Sequence, residues 1–91
     1  MAVSVRIPTQ LRSLTAGASE VTVEPGTVAD VLKQLDAAHT GFGERIFDEN
    51  GALRRFVNVF VADEDIRFLQ ALDTPVTDGQ VVSIVPAVAG G

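Results

Sequence analysis

The chain has 91 residues, a formal net charge of −5 at pH 7 and no cysteine. Its length allows one small domain, which buries a little over ~60% of the surface of the unfolded chain, and its apolar fraction of 46% excludes a disordered chain. The acidic charge excludes a nucleic-acid partner, and the lack of thiols excludes disulfides, thiolate metal sites and cysteine nucleophiles.

Alternating apolar and polar residues predict two strands near the start of the chain. The first covers residues 2–7, where every second residue is a β-branched apolar one, and Pro8 ends it because proline has no N–H for the ladder. The second covers residues 20–24 with the same alternation. Residues 13–19 between them have the composition of a turn, so the two strands are predicted to form a hairpin.

A helix is predicted to follow, because Pro25-Gly26 breaks the second strand and Thr27 has the side chain of an N-cap. Asp30, three residues later, completes the pattern of a capping box. His39 is placed near the C-terminal end, and Gly41 is predicted to end the helix in a left-handed conformation. One predicted face carries apolar residues at helical spacing: Val28, Val31, Leu32, Leu35 and Ala38.

The segment 42–55 has a weaker pattern, in which the turn signal Asn50-Gly51 is flanked by two short predicted ribbons at 45–47 and 52–54. A clear strand is predicted at 56–61. Its three valines face one side of the sheet. Three other side chains of this strand face the opposite side: Phe56, Asn58 and Phe60.

The rest of the chain is predicted to form two turns and two strands. Asp63-Glu64-Asp65 is predicted to be a charged turn, residues 66–68 a short strand, and Thr77-Asp78-Gly79 the turn before the last strand. That last strand covers residues 81–85, which are mostly β-branched and apolar, and Pro86 is predicted to end its ladder.

This order of elements predicts a single α+β domain of the ubiquitin-like β-grasp type. The strands from the two chain ends pair in parallel at the centre of a mixed sheet of four to five strands, and one main helix packs across one face. The predicted domain covers residues 1–85, and residues 86–91 are predicted to form a flexible C-terminal tail.

The chain ends in Gly90-Gly91, which we interpret as a functional terminus rather than a frayed end. Two terminal glycines arise by chance in about one chain in 200. The residues from 86 onward span up to about 20 Å when extended, enough to enter the cleft of a partner. Glycine has no Cβ, so the final dipeptide passes a narrow channel in any backbone conformation. The residues predicted to thread such a channel with it are Ala87, Val88 and Ala89.

Five segments match a known pattern: 55–59 (Arg-Phe-Val-Asn-Val), 63–65 (Asp-Glu-Asp), 67–68 (Arg-Phe), Asp78-Gly79, and 82–91, which ends Pro-Ala-Val-Ala-Gly-Gly. In these segments and in the order of its elements, the whole chain resembles the ubiquitin-like sulfur carrier proteins of the MoaD and ThiS families. It looks most like the CysO-type carriers of cysteine biosynthesis. It departs from many relatives at Ala62, where they have asparagine.

The resemblance implies a chemistry for the tail. An adenylating enzyme of the MoeB or ThiF type would activate the Gly91 carboxylate with ATP and Mg²⁺, and a sulfur donor would convert it to a thiocarboxylate. In CysO-like systems this group donates sulfur to a pyridoxal-phosphate-dependent cysteine synthase, and a metalloprotease then regenerates the tail. The carrier would be a protein co-substrate, with no catalytic residue, metal or bound cofactor. MoaD- or ThiS-type supply of sulfur to molybdopterin, thiamin or a specialised metabolite is the alternative.

Other side chains suggest weaker hypotheses. Asp63-Glu64-Asp65 is interpreted as a solvated charge run rather than a metal site, and His39 as a helix-end residue rather than a catalytic one. Lys33 is the only lysine, so building of ubiquitin-type chains is not favoured. Attachment of this chain to another protein through Gly91 requires no lysine on this chain. A ubiquitin-like protein modifier, or an interaction domain that never carries sulfur, is therefore the alternative from a different functional class.

The alternation of the last two long strands predicts an apolar docking surface beside the tail. If the valines of 56–61 face the helix, Phe60 points outward, and Val85 does so in the last strand. An outward apolar patch next to a reactive tail suits a protein partner. We therefore predict that Phe60 and Val85 contact the partner enzymes, while Phe56 packs either there or under the 42–55 segment.

The sequence also predicts a cytoplasmic location and no membrane partner. Its longest apolar run is far too short to span a bilayer. Residues 1–7 alternate like a strand and lack the basic start and apolar core of a signal peptide.

Overall fold

The structure is a computed structural model that describes residues 2–54 and 57–86. Within these ranges, no helix has the length and apolar character needed to cross a membrane. Three short 3₁₀ helices cover Thr9–Thr15, Ile66–Phe68 and Ala71–Asp73. The longer elements and the remaining strands are β1 Val3–Arg6, β2 Glu20–Val23, β3 Gly26–Thr27, α1 Val28–Ala38, α2 Phe42–Ile46, β4 Val57–Val61, β5 Glu64–Asp65, β6 Pro75–Val76 and β7 Val81–Pro86.

Five strands form one mixed sheet in the order β2-β1-β7-β4-β5. β1 is antiparallel to β2 and parallel to β7, with Ser4 opposite Val81. β4 is antiparallel to both β7 and β5. The first and last strands of the domain therefore lie side by side within the sheet, as the predicted β-grasp topology requires.

One face of this sheet carries the hydrophobic core, and the apolar stripe of α1 packs into it. Burial alternates along β4, where the three valines are buried and Asn58 and Phe60 are half-buried. Ala38 was predicted for the buried stripe of α1 but is exposed. It lies about 60° around the helix from Leu35, at the margin of the stripe, and α1 ends there. The largest fully buried side chains are Phe42, Ile7, Leu32, Leu35, Ile46 and Ile66.

The capping box at the start of α1 is confirmed. Thr27 Oγ1 accepts the N–H of Asp30 at 3.2 Å, and Asp30 Oδ2 accepts the N–H of Thr27 at 3.0 Å. The helix ends at His39, whose N–H donates to the Leu35 carbonyl. Gly41 is left-handed as predicted, with φ +100°, but it begins α2 rather than ending α1. Both helices are thus bounded by local backbone geometry.

The same box makes part of the stability depend on pH. Hydrogen bonds from the Thr27 backbone and side chain lower the pKa of Asp30 below its usual range; they outweigh the opposing effect of desolvation, and Lys33 adds a smaller lowering effect. A carboxylate with a depressed folded-state pKa stabilises the fold above its unfolded pKa, and this stabilisation is lost as pH falls through the folded pKa. We expect Asp30→Asn to remove this part of the acid-induced loss of stability.

Chemical denaturation of the parent chain and of Asp30→Asn between pH 7 and pH 2 checks this expectation. Glu49→Gln, at an exposed turn position, is the control for losing one carboxylate. If Asp30→Asn and Glu49→Gln change the acid dependence of the unfolding free energy equally, the capping box is not its source.

Helix α2 replaces the ribbon predicted at 45–47. Phe42 and Ile46, four residues apart, are both fully buried, which is the spacing of one helix face. The Asp36 carboxylate accepts the N–H of Gly43 at 2.7 Å and so satisfies one of the free donors at the start of α2. The prediction failed because two glycines interrupt the helical pattern in the sequence.

The short strand predicted at 66–68 is also wrong, since these residues form a 3₁₀ helix. Asp65 Oδ1 accepts the N–H of Arg67 at 2.9 Å, and this contact bends the chain as it leaves the sheet. Of the two ribbons predicted around Asn50-Gly51, the described residues retain a single bridge between Phe47 and Leu53.

A two-residue turn, Ala62-Asp63, joins β4 to β5, so the predicted charged turn is shorter than expected and Glu64–Asp65 is a strand. Both turn residues have positive φ, +51° for Ala62 and +70° for Asp63. Positive φ at both central positions is the hairpin geometry that favours Asn-Gly. Asparagine tolerates this region better than alanine, which gives a physical reason for asparagine in the relatives named above.

We therefore expect Ala62→Asn to stabilise the fold by about 0.5 kcal/mol, because it relieves part of the cost of left-handed alanine. The same substitution at exposed Ala37, inside α1, is the matched control. It should destabilise by about 0.5 kcal/mol, since asparagine is a poorer helix former than alanine. Denaturant unfolding of the two variants measures the change in the free energy of unfolding for each. A loss of stability in Ala62→Asn would contradict the expectation.

Candidate functional site

The tail leaves the domain from an interior strand of the sheet. β7 has β1 on one side and β4 on the other. Its last described residue, Pro86, is paired with Val57 in the ladder, so the strand includes the proline that was predicted to end it. Residues 87–91, including the predicted threading residues and Gly90-Gly91, lie outside the described residues. β1 pairs with β7 only as far as Ser83, so the pairing with β4 alone holds the end of β7 at Pro86.

Phe60 and Val85 both lie on the sheet face opposite α1. Their positions follow from register: Asn58 is opposite Val85, and Phe60 is opposite Ser83. Because directly paired residues share a face and diagonal neighbours lie within reach of an aromatic ring, Phe60 and Val85 are neighbours across β4 and β7. Val85 is 46% exposed and Phe60 is half-buried. Phe56, the third residue considered for this face, lies outside the described residues.

Polar side chains surround this apolar pair. The register continues across the sheet, so that Arg6 is opposite Ser83 and Asp65 is opposite Phe60. Glu20, at the far edge, is opposite Arg6. We define the outer face of the sheet as this surface, in which Phe60 lies within a row of polar side chains and Val85 lies two residues beyond Ser83, toward the end of β7. An apolar centre within a polar rim is the usual composition of a protein–protein interface.

Asn58 adds a feature that sequence reasoning did not single out for function. In the described part of the chain, its Oδ1 is the buried side-chain oxygen that has no hydrogen-bond partner. An unsatisfied buried polar group costs about 1–3 kcal/mol. Asn58 is opposite Val85, so this cost falls beside the start of the tail. A polar residue in the middle of an otherwise apolar strand was the available signal.

The other candidate residues lie away from the outer face or are dispersed. Asp63 is in the hairpin turn, while Glu64 and Asp65 are successive strand residues and therefore point to opposite faces. In the part of the chain that the structure describes, no three acidic or histidine side chains are grouped as metal ligands. His39 ends α1, and Lys33 is exposed on it. Of these residues, Asp65 lies beside the apolar pair, opposite Phe60, and the structure does not bring the others to it.

Comparison with known proteins identifies relatives over the full length. The ThiS family matches residues 5–91. The sulfur carrier protein CysO of Mycobacterium tuberculosis is 46% identical over 93 residues, which cover 100% of both chains. A chain in the crystal structure of the Amycolatopsis orientalis BexX/CysO complex has a TM-score of 0.92 and 43% identity, covering 99% of this chain and 100% of that one.

A third relative has a different name. Small archaeal modifier protein 3 of Haloferax volcanii is 37% identical over 68 residues, 75% of this chain and 73% of that protein. The full-length similarity and the order of the sheet agree with the interpretation made from the sequence. The chain belongs to the ThiS family of ubiquitin-like sulfur carrier proteins and is similar to carriers of the CysO type.

Proposed function

We propose that this protein carries sulfur as a thiocarboxylate on Gly91. The observation that carries the proposal is the family match through Gly90 and Gly91, together with the interior strand that leads to them. A carboxylate is a poor electrophile, and this chain's task is to present it at a defined distance from a folded body. Interactions between partner and body then place the reacting carbon, and a misplacement of about 1 Å can cost ~10²-fold in rate.

In this proposal a MoeB- or ThiF-like adenylating enzyme converts the Gly91 carboxylate to the thiocarboxylate in two steps. A Gly91 carboxylate oxygen attacks the α-phosphorus of Mg²⁺-bound ATP, and pyrophosphate leaves. A sulfur nucleophile then attacks the acyl carbon, and AMP leaves with the former carboxylate oxygen. In this proposal the chain is a co-substrate, and the ATP and Mg²⁺ belong to the enzyme. Because this chemistry consumes ATP, we expect the protein to act in the cytoplasm.

For the acceptor we propose a pyridoxal-phosphate-dependent cysteine synthase. Support comes from the 46% identity to CysO over the full length. The thiocarboxylate sulfur, a soft nucleophile by the same reasoning that applies to thiolates, would form the new carbon–sulfur bond at a dehydroalanine-type carbon. A metalloprotease would then hydrolyse the bond between the Gly91 carbonyl carbon and the new cysteine, so that water restores the Gly91 carboxylate and free cysteine leaves. Supply of another sulfur-inserting synthase is the alternative within this class, since a CysO is part of a complex with BexX.

A second candidate function is favoured by one specific observation. The 37% identity to a small archaeal modifier protein supports the idea that an activated Gly91 could be joined to a lysine of another protein. Both functions share adenylation and differ in the nucleophile that follows. In each case we propose that Phe60 and Val85 contact the enzyme that holds the tail.

Intact-mass measurement separates the two functions. The purified chain is incubated with ATP, Mg²⁺, sulfide and the adenylating enzyme of the same organism. The thiocarboxylate raises the mass by about 16 Da, the difference between sulfur and oxygen. Adding the cysteine synthase with its acceptor substrate should replace this increment with the larger mass of a covalently attached cysteine, and adding the metalloprotease should return the mass to that of the parent chain. Isopeptide-linked adducts without a thiocarboxylate would support the modifier function instead, and an unchanged mass in the presence of active enzyme would contradict both.

A further inference from the structure

Two large apolar side chains project into solvent at a site separate from the outer-face pair. Phe68 is 86% exposed and Leu69 40% exposed, and Val85 is the third exposed large hydrophobic residue in the described ranges. Scattered exposed hydrophobic residues need no explanation, but these two are adjacent and one is a nearly fully exposed aromatic. Aromatic residues of this kind are frequent interaction hot spots.

The segment that carries them is held by internal contacts. Ile66, two residues before Phe68, is 1% exposed and anchors the segment in the core. Leu69 donates its N–H to the Ile66 carbonyl at 3.0 Å, and Gln70 donates its N–H to Thr74 Oγ1 at 2.9 Å. Thr74 itself is buried. Phe68 is therefore presented on an ordered turn, and a partner that takes it up loses little conformational freedom of the backbone.

The backbone of this segment also contains strain. Ala71 has φ +53°, a left-handed conformation that costs a non-glycine residue about 1–3 kcal/mol and that surrounding structure must maintain. Leu72, the next residue, is half-buried and packs against the core. Strain of this type is concentrated at binding and switching sites, so it points in the same direction as the exposed ring.

The charges around Phe68 indicate the chemistry of its partner. Residues 63–73 contain four carboxylates and one cation, which gives a formal charge of −4 + 1 = −3. The cation, Arg67, is already occupied, with its Nε 3.5 Å from Asp65 Oδ1. A segment that presents an apolar ring and carries this net negative charge is complementary to an apolar pocket bordered by lysine or arginine.

The position of the segment relates it to the tail. Arg67 and Leu72 line a cavity of about 280 Å³ together with Val57. Val57 is paired with Pro86, the last described residue before the tail. The segment thus lies beside the Val57 end of β4, which is the end that pairs with the last described residue of β7. An enzyme that holds the tail can reach Phe68 without any change in the fold.

We propose that Phe68 and Leu69 form a second docking point for the adenylating enzyme, which receives Phe68 in an apolar pocket bordered by basic side chains. This inference rests on the proposed function, because it assigns a contact to the enzyme that activates Gly91. It is independent of the outer face, because its residues come from the 66–73 segment after β5 rather than from β4 and β7.

ATP–pyrophosphate exchange with the full-length chain and the adenylating enzyme of the same organism tests the proposal. Phe68→Ser should raise the KM for the carrier at least ~10-fold with little change in kcat, because it removes a binding contact and leaves the tail intact. Phe68→Leu, which keeps an apolar side chain, should recover most of the affinity. At 86% exposure, Phe68 contributes little to folding, and thermal melting should confirm equal stability.

A second pair of variants tests the charge argument. Glu64→Gln removes an exposed carboxylate beside the segment, and Glu49→Gln removes one at a distant exposed turn. Glu64→Gln should raise the KM about two- to fivefold at low salt and weaken its dependence on salt, whereas Glu49→Gln should change neither. If the parent chain is adenylated and Phe68→Ser has the same KM, the second docking point is wrong. If an active enzyme leaves the parent chain unmodified, the proposed function is wrong, and this inference with it.

Discussion

A chain extended by one alanine after Gly91 is expected to fold like the parent and to be adenylated at least ~10²-fold more slowly. The extra residue moves the terminal carboxyl carbon by up to about 3.5 Å, and a shift of about 1 Å can already cost this factor. It also places a Cβ where a channel shaped for glycine leaves no room. Pyrophosphate exchange measures the first effect, and thermal melting should show a change in unfolding free energy within about ±0.5 kcal/mol.

Intact-mass measurement during this experiment shows whether the added alanine is still present when adenylation is assayed. An enzyme preparation that trims the added alanine would restore activity, and the mass would then fall to that of the parent chain. A matched control is the chain with one alanine inserted between Asn50 and Gly51, two exposed positions far from β7 in the sequence, which should be adenylated at the parent rate. If the untrimmed extended chain is adenylated and thiolated as fast as the parent, the assignment of sulfur to Gly91 is wrong.

Loss of the Phe60 ring is expected to weaken binding of the chain to the adenylating enzyme by about 2 kcal/mol, if Phe60 is a hot spot of the outer face. This corresponds to an increase of roughly 30-fold in the KM for the chain. The structure decides which substitution to use. Aspartate at this position would directly oppose Asp65 across the sheet, and like charges in opposed positions destabilise a strand pair. Phe60→Thr avoids this repulsion and retains a β-branched side chain suited to a strand.

Val81→Thr is the matched control for this variant. Val81 is half-buried on the same face of β7, four residues before Val85 and away from the tail. The Val81→Thr chain should therefore be adenylated with the KM of the parent. Val85→Thr should raise the KM in the same way as Phe60→Thr, but by less. Adenylation should be assayed well below the melting temperature of each variant, because the half-buried Phe60 ring also contributes to stability. A folded Phe60→Thr chain with the parent KM would show that the outer face is not the docking surface.

The elements predicted correctly from sequence are those whose signal is local. The capping box needs only Thr27 and Asp30, three residues apart, and the sheet strands follow from alternation within four to six residues. The errors occur where local signals conflict with contacts made elsewhere. The α2 helix contains glycine and was missed because its stability depends on burying Phe42 and Ile46 in the core. The 3₁₀ helix at 66–68 depends on a side chain just outside it, that of Asp65.

The features of the candidate site also separate into those that local sequence patterns predict and those that depend on the folded structure. Patterns among neighbouring residues were sufficient to predict the fold, the family resemblance and a role for Gly90-Gly91, because alternation, capping and composition are local properties. The folded structure was needed to show that Phe60 lies beside Val85, that Asp65 opposes Phe60, and that Phe68 is exposed near the end of β4. The first of these facts depends on the register between β4 and β7, which are distant in the chain, and a shift of one residue would have moved Val85 to the opposite face. The other two depend on the β4–β5 hairpin and on the packing of the segment that follows it.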